Sequence, residues 1–409
     1  MDVKPIVDIF SGPFRVRGGA KTSSWGKVGS SSRIASIVPS TDETARLAEY
    51  WLGAHESLPA HVLFEDGSVK ALDSFFRDHA VRVLGESVAR RYQNELPFLL
   101  KVLSINPEHG LSIQAHPDLE LARRLHGQAP SRYPDPRHKP EIGLPLTPVT
   151  LLYGFKARER LRAMLDLFPE LRAIVHEDEF DQGPEVFRSA FTKLFALGRD
   201  GVQAVVTAIA SRIKRDGARC PEAEVFSRLH LQYGDFDEGL LALFLMNLVS
   251  IQPGEGIFIP ANLPHAYLDG DLVECMACSD NVVRAGLTPK VKDIATLIEM
   301  VTYSSIAPVP IVPVKDEEGF LVFTTPAEEF EVGYVAQGSG SYCISTDLGA
   351  RVLMSLGEKS VVRSLATGRL VELSDGEAAL LPIQSGNFEV ICQNSSVYRT
   401  GVAGIPNAG

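Results

Sequence analysis

Ser112, Gln114 and His116 occupy every second position between Leu111 and Asp118, a stretch that reads as a strand. A period of two turns all three side chains to one face. Two of them, Gln114 and His116, can ligate a metal. Downstream, His138-Lys139-Pro140-Glu141 sets a carboxylate beside a lysine. The segment Pro260 to Tyr267 then adds His265, with Tyr267 two residues on. Gln114, His116, Glu141 and His265 make a mixed nitrogen and oxygen set for one zinc ion. Only Glu141 in that set is anionic, so a bound zinc keeps positive charge and an open or water-filled position. That is the form of a catalytic site and not of a closed structural one. On spacing alone the alternative also stands, in which His116 and His265 are separate core or surface histidines.

Other candidates carry less. Tyr267 shares strand parity with His265, so both can face one cavity. Cys275 and Cys278 tempt as a metal pair, but no second pair exists and alternation sends them to opposite faces. His55, His61, His79, His109, His126, His138, His176 and His230 read as structural or solvated.

The elements that must position these residues follow from periodicity. Short strand-like runs cover Arg33 to Val38 and His61 to Phe64, and residues 73–94 have helical spacing. Leu96 to Leu103 is an apolar run that reads as a buried strand. Pro117-Asp118 starts a helix to His126, with Gly127 as its stop. Residues 130–148 hold six prolines. They predict an irregular, rigid segment for Lys139 and Glu141. Val149 to Tyr153 reads as a strand. From Arg158 to Ser250 about five helices follow, with almost no β signal. The β pattern returns at Pro253 to Pro260 and at Leu272 to Ala277, and Lys290 to Tyr303 reads helical. From Ile311 onward, short runs alternate with Gly, Ser and Asp turns, the pattern of a sandwich or jelly roll.

Composition bounds the function. The 409 residues are enough for two or three domains, and 45% hydrophobic content is ample for a core. No run of about 18 apolar residues predicts a membrane span. The first residues, Met1 to Asp8, lack the order of a signal peptide. A net charge of −11 argues against nucleic acid as a partner. An odd, scattered set of five cysteines fits a reducing compartment. The expected location is cytoplasmic. No motif specifies an oligomer, and a monomer is compatible with all of this.

Several motifs occur in a fixed order: Trp25-Gly26, Glu49-Tyr50-Trp51-Leu52-Gly53-Ala54-His55, Phe98 to Leu103, Ser112 to Asp118, His138 to Glu141, and Ser279 to Lys290. Together they resemble the type I mannose-6-phosphate isomerases, zinc-dependent enzymes of the cupin superfamily. The resemblance spans residues 20–400. It implies that Gln114, His116, Glu141 and His265 hold one zinc ion per chain. It implies that Arg284 is catalytic, with Lys139, Tyr267, Glu274 and Asp280 beside the substrate. It also implies Lys290 beside the substrate and Ser112 near its phosphate; Lys290 and Ser112 are phosphate candidates, and Lys101 a further one, because a dianion needs cationic or hydroxyl donors. The base stays open among Glu274, Asp280 and Lys139. Two stretches depart from the family pattern: Ser104 to Gly110 is longer than usual, and Phe14 to Ser32 is less tight.

The implied reaction interconverts D-mannose 6-phosphate and D-fructose 6-phosphate through a cis-enediol, within carbohydrate metabolism and GDP-mannose biosynthesis. Enolisation builds charge on oxygen, which a Lewis-acid metal and a permanently charged guanidinium both stabilise. Two further readings are an isomerase for a different sugar phosphate and a non-catalytic cupin that binds one. The expected fold is mainly β with an α-helical insert: two cupin or jelly-roll domains plus a helical domain. The catalytic domain is expected from 1–155 and 251–305, the helical insert from 156–250, and the C-terminal jelly roll, without metal, from 306–409.

Overall fold

A computed structural model describes residues 8–38 and 42–403. Residues 1–7, on which the reading of the N-terminus rests, lie outside the described residues.

Two ten-stranded sheets make the β framework. The first runs in the order Met246–Ile251, Val149–Phe155, His265–Ala277, Phe98–Ile105, Gly19–Val28 and Arg46–Gly53, with short strands attached at Ile113–Ala115, Glu141–Pro145, Ile257–Ile259 and Val283–Gly286. The second is built mainly from Glu331–Ser345, Arg351–Ser364, Ala378–Leu381 and Asn387–Gly401. Phe14–Arg17, His61–Leu63 and Val69–Ala71 also belong to this second sheet, although they lie near the start of the chain. Arg15 and Arg17 fix that crossing, because both pair with Glu377, at 2.6 and 2.8 Å. The architecture is mainly β with a helical region, as the sequence pattern predicts.

Apolar contacts hold the layers together. Leu100, Val102, Val273 and Cys275 of the first sheet meet Phe323, Val332 and Met354 of the second, along with Phe75 and Phe76 from the Leu72–Leu84 helix. The helices Arg158–Leu167, Glu185–Ala196, Gly198–Asp216, Pro221–Tyr233 and Gly239–Leu245 bury Phe187, Phe191, Phe226 and Phe244 against Leu152, Phe155 and Leu268 on the first sheet. Among the described residues, no helix is long and apolar enough to cross a membrane.

The structure differs from the sequence pattern at several elements. Arg33–Ile37 is one helical turn, not a strand. The Ser32 hydroxyl accepts from the Ile34 N–H and caps it. The predicted helix over 73–94 is two helices, Leu72–Leu84 and Glu86–Arg91, divided at Gly85 with φ +85°. Gly127 does not stop its helix, which runs Leu119–Gln128. Burial of Leu121 and Leu125 outweighs the roughly 1 kcal/mol helix cost of one glycine. Glu141 does not sit in an irregular segment: it opens the strand Glu141–Pro145. Prolines at 140 and 145 bound that strand, where a missing N–H is tolerated. Met246–Ile251, placed in the helical stretch by its sequence neighbourhood, is a strand paired with Val149–Phe155.

Candidate active site

Strand register gathers the polar residues into rows. Gln114 pairs with His265 on one side and with Arg284 on the other. Directly opposed residues share a face, so three residues far apart in sequence stand side by side. A second row runs Trp51, Lys101, Glu274 and Gly143 across adjacent strands. Ser112 and His116 flank the short strand of Gln114, and Glu141 pairs with Met276.

The metal candidates converge. His116 Nε2 lies 3.3 Å from Glu141 Oε1, and His265 Nε2 lies 3.4 Å from Glu141 Oε2. All three residues are buried. The other ring nitrogens are committed: His116 Nδ1 donates to the Asn281 carbonyl at 2.8 Å, and His265 Nδ1 to the Leu263 carbonyl at 2.9 Å. A carbonyl only accepts, so each Nδ1 carries a hydrogen and Nε2 is the ring atom left to face Glu141. Burial lowers the His116 pKa to about 4 even with Glu141 beside it, which keeps that ring neutral at pH 7. Among the described residues neither Nε2 has a hydrogen-bond partner. At the neutral His116 ring an acceptor therefore faces an acceptor across 3.3 Å. Such a cluster is repulsive unless a cation sits between its members. Ligand bonds of about 2.1 Å at tetrahedral angles separate ligand atoms by about 3.4 Å. The three residues fit a tetrahedral divalent metal, and Gln114 stands next to His265 in strand register.

In front of this cluster lies a cavity of about 770 Å³ lined by Lys101, Ser112, Gln114, Lys139, Glu141, Glu274, Asp280, Arg284 and Lys290. His116, His265 and Tyr267 stand behind the wall, each 1% exposed or less. The cavity is rich in cations on an acidic protein, and Lys21 and Lys292 also line it. Lys139 Nζ is 3.2 Å from Glu141 Oε1. Lys101 Nζ sits between Glu49, at 3.5 Å, and Glu274, at 3.7 Å, and 4.6 Å over the Trp51 ring. Burial opposes its charge, but Glu49 and Glu274 raise its pKa and keep it an ammonium. Burial, reinforced by the Glu141 charge and opposed by Lys101, pushes the Glu274 carboxyl up to about 7.

Arg284 is not paired with Asp280. Among the described residues it makes no hydrogen bond or ion pair, and burial alone lowers its pKa. Asp280 instead meets His55, 3.3 Å away, whose hydrogen bond holds the carboxyl below its usual range. The His55 Nδ1 accepts from the Ser57 N–H at 3.2 Å, which aims Nε2–H at Asp280. Sequence reasoning read His55 as a structural or solvated histidine. Its one signal was its place four residues after Trp51, whose ring it meets edge-on.

Tyr267 is buried, and among the described residues its hydroxyl has no hydrogen-bond partner. Leaving a buried polar group unpaired costs about 1–3 kcal/mol, so the site keeps a donor free at a price in stability. The room for that hydroxyl comes from Gly143. A Cβ there would stand 2.4 Å from the Tyr267 Oη. Gly143→Ala is expected to displace the tyrosine and lower kcat about tenfold or more. A double-mutant cycle with Tyr267→Phe checks this. If the damage runs through the hydroxyl, the second substitution adds little; additive losses contradict it.

The family described as phosphomannose isomerase type I, catalytic domain, matches residues 14–158. The rat mannose-6-phosphate isomerase is 40% identical over 302 residues, 68% of this chain and 70% of that protein. The human enzyme of the same name is 34% identical over 403 residues, 91% of this chain and 92% of its own. Among solved structures, a mutant phosphomannose isomerase from Salmonella typhimurium superposes with TM-score 0.85 at 25% identity, covering 95% of this chain and 99% of that one. A mannose 6-phosphate isomerase bound with zinc and yttrium superposes with TM-score 0.84, also at 25% identity, over 95% and 99% of the two chains.

Proposed function

The chain belongs to the type I phosphomannose isomerase family, and from that premise we propose that Gln114, His116, Glu141 and His265 hold one zinc ion beside a sugar-phosphate cavity. Its reaction is the interconversion of mannose 6-phosphate and fructose 6-phosphate. The observation that carries the site assignment is the pair of orphaned Nε2 atoms facing Glu141 at 3.3 and 3.4 Å.

Zinc supplies Lewis acidity toward a sugar oxygen. The chain's own residues do the rest. Arg284, with no internal partner, offers its guanidinium to oxygen charge that grows as the C2 proton leaves. Glu274 carries that proton. Its carboxyl near 7 both accepts and returns one at neutral pH, whereas His55 keeps Asp280 ionised. Lys139 and the free hydroxyl of Tyr267 orient sugar oxygens beside the metal ligands. Lys101 balances Glu49 and Glu274.

Ser112 and Lys290 hold the phosphate. Lys290 is half-open to solvent, and burial, then Arg284 and then Lys21 lower its pKa, which marks a cationic neighbourhood suited to a dianion. Lys290→Ala is expected to raise KM for mannose 6-phosphate about tenfold or more, with a smaller fall in kcat. Steady-state kinetics on the phosphorylated sugar and on mannose check this; equal activity on both sugars contradicts it. The division of the chain into a catalytic body, a helical insert and a C-terminal jelly roll belongs to the same reading, as does a cytoplasmic location without a nucleic-acid partner. The experiment for the whole reading is a coupled isomerase assay with and without a chelator.

A further inference from the structure

The helical insert reaches the cavity through Asp237, a residue the reaction itself leaves without a task. Asp237 is 8% exposed and is spent entirely on backbone. Its Oδ1 accepts from the Gly239 N–H at 2.8 Å and from the Leu287 N–H at 2.6 Å, and its Oδ2 accepts from the Thr288 N–H at 3.1 Å. One carboxylate thus joins the start of the Gly239–Leu245 helix to the segment that follows the Val283–Gly286 strand.

Two more features mark this junction as built. Leu287 holds φ +54°, a conformation that a branched side chain rarely adopts unless its surroundings impose it. Glycines face each other across the contact: a Cβ at Gly286 would stand 2.4 Å from Gly239 N and 2.5 Å from Gly239 Cα. Beside them the Lys292 ammonium pairs with Glu238. The clamped segment carries Arg284 at one end and Lys290 toward the other, and both line the cavity.

We propose that Asp237 is the positioning residue that fixes the 284–290 segment, so that the helical insert sets where Arg284 and Lys290 stand in the cavity. The inference rests on the reading that these two cations serve the sugar phosphate. It gives the insert a part in turnover, since the N–H groups of Leu287 and Thr288, between Arg284 and Lys290, lose their acceptor when that carboxylate is lost. Displacement of reacting or binding groups by about 1 Å is enough to cost 10²-fold in rate.

The test uses zinc-loaded wild type, Asp237→Asn, Gly286→Ala and Lys290→Ala. Asp237→Asn keeps the size but turns an amide donor toward a backbone N–H. Gly286→Ala prises the same contact apart without touching the carboxylate. For each, kcat, KM for mannose 6-phosphate, the inhibition constant of inorganic phosphate, zinc content and melting temperature are measured. Asp237→Asn and Gly286→Ala are expected to keep their zinc, to lose about tenfold or more in kcat, and to weaken phosphate inhibition about tenfold. A purely structural role instead lowers the melting temperature and leaves the kinetic constants of the folded enzyme unchanged. The proposal is overturned if Asp237→Asn keeps kcat, KM and phosphate inhibition within threefold of wild type. It is also overturned if neither Asp237→Asn nor Gly286→Ala yields folded, zinc-loaded enzyme. If phosphate inhibits Lys290→Ala as it does wild type, the phosphate reading of Lys290 falls instead, and the kcat of Asp237→Asn judges the clamp through Arg284.

Discussion

Arg284→Ala is expected to keep its fold and its zinc while losing about 10²–10³ in kcat, the usual cost of removing one preorganised donor to developing charge. The guanidinium stands in the row Arg284, Gln114, His265, next to the proposed metal ligands. Among the described residues no carboxylate pairs with it, and Asp280 meets His55 instead. Its stabilisation is therefore available to charge that appears only in the transition state, and such a group affects kcat more than substrate binding. Arg284→Lys should recover only part of the rate, because an ammonium lacks the planar fork of donors. Measuring kcat, zinc content and melting temperature on one preparation separates this from a structural role. Turnover within threefold of wild type in folded, zinc-loaded Arg284→Ala removes the residue from the mechanism.

Glu141→Ala is expected to act on the metal before it acts on the rate. Glu141 is the only anionic member of the proposed ligand set, and both its oxygens face histidine Nε2 atoms. Losing an outer partner of a metal ligand typically costs 10–100-fold in affinity, and losing the ligand itself should exceed about 100-fold. The substitution also strips Lys139 of its carboxylate partner in a buried setting. Zinc content after dialysis and activity at rising zinc concentration check this. Stoichiometric zinc bound with wild-type affinity contradicts the ligand set.

The local part of this site was legible in the chain because alternation is local. Ser112, Gln114 and His116 could be aligned on one face, and Tyr267 matched to His265, from a period of two. What alternation cannot show is register. That Gln114 lies between His265 and Arg284, or Lys101 between Trp51 and Glu274, depends on pairings between distant strands. The same limit hid Phe14–Arg17, whose partner strand Ala378–Leu381 lies near the other end of the chain. Proline content misled at Glu141, because prolines at a strand's ends are compatible with a strand between them. Asp237 had no signature at all: its partners are backbone N–H groups, which every residue but proline carries. His55 was passed over because its partner Asp280 is distant in sequence.

Isomerisation is expected to depend on a metal held by the proposed ligands Gln114, His116, Glu141 and His265. The most direct measurement follows conversion of mannose 6-phosphate to fructose 6-phosphate by wild-type enzyme before chelation, after chelation, and after return of one equivalent of zinc, with metal content determined at each stage. Activity should vanish with the metal and return in proportion to zinc bound. Full turnover by folded enzyme shown to be free of metal would contradict the account.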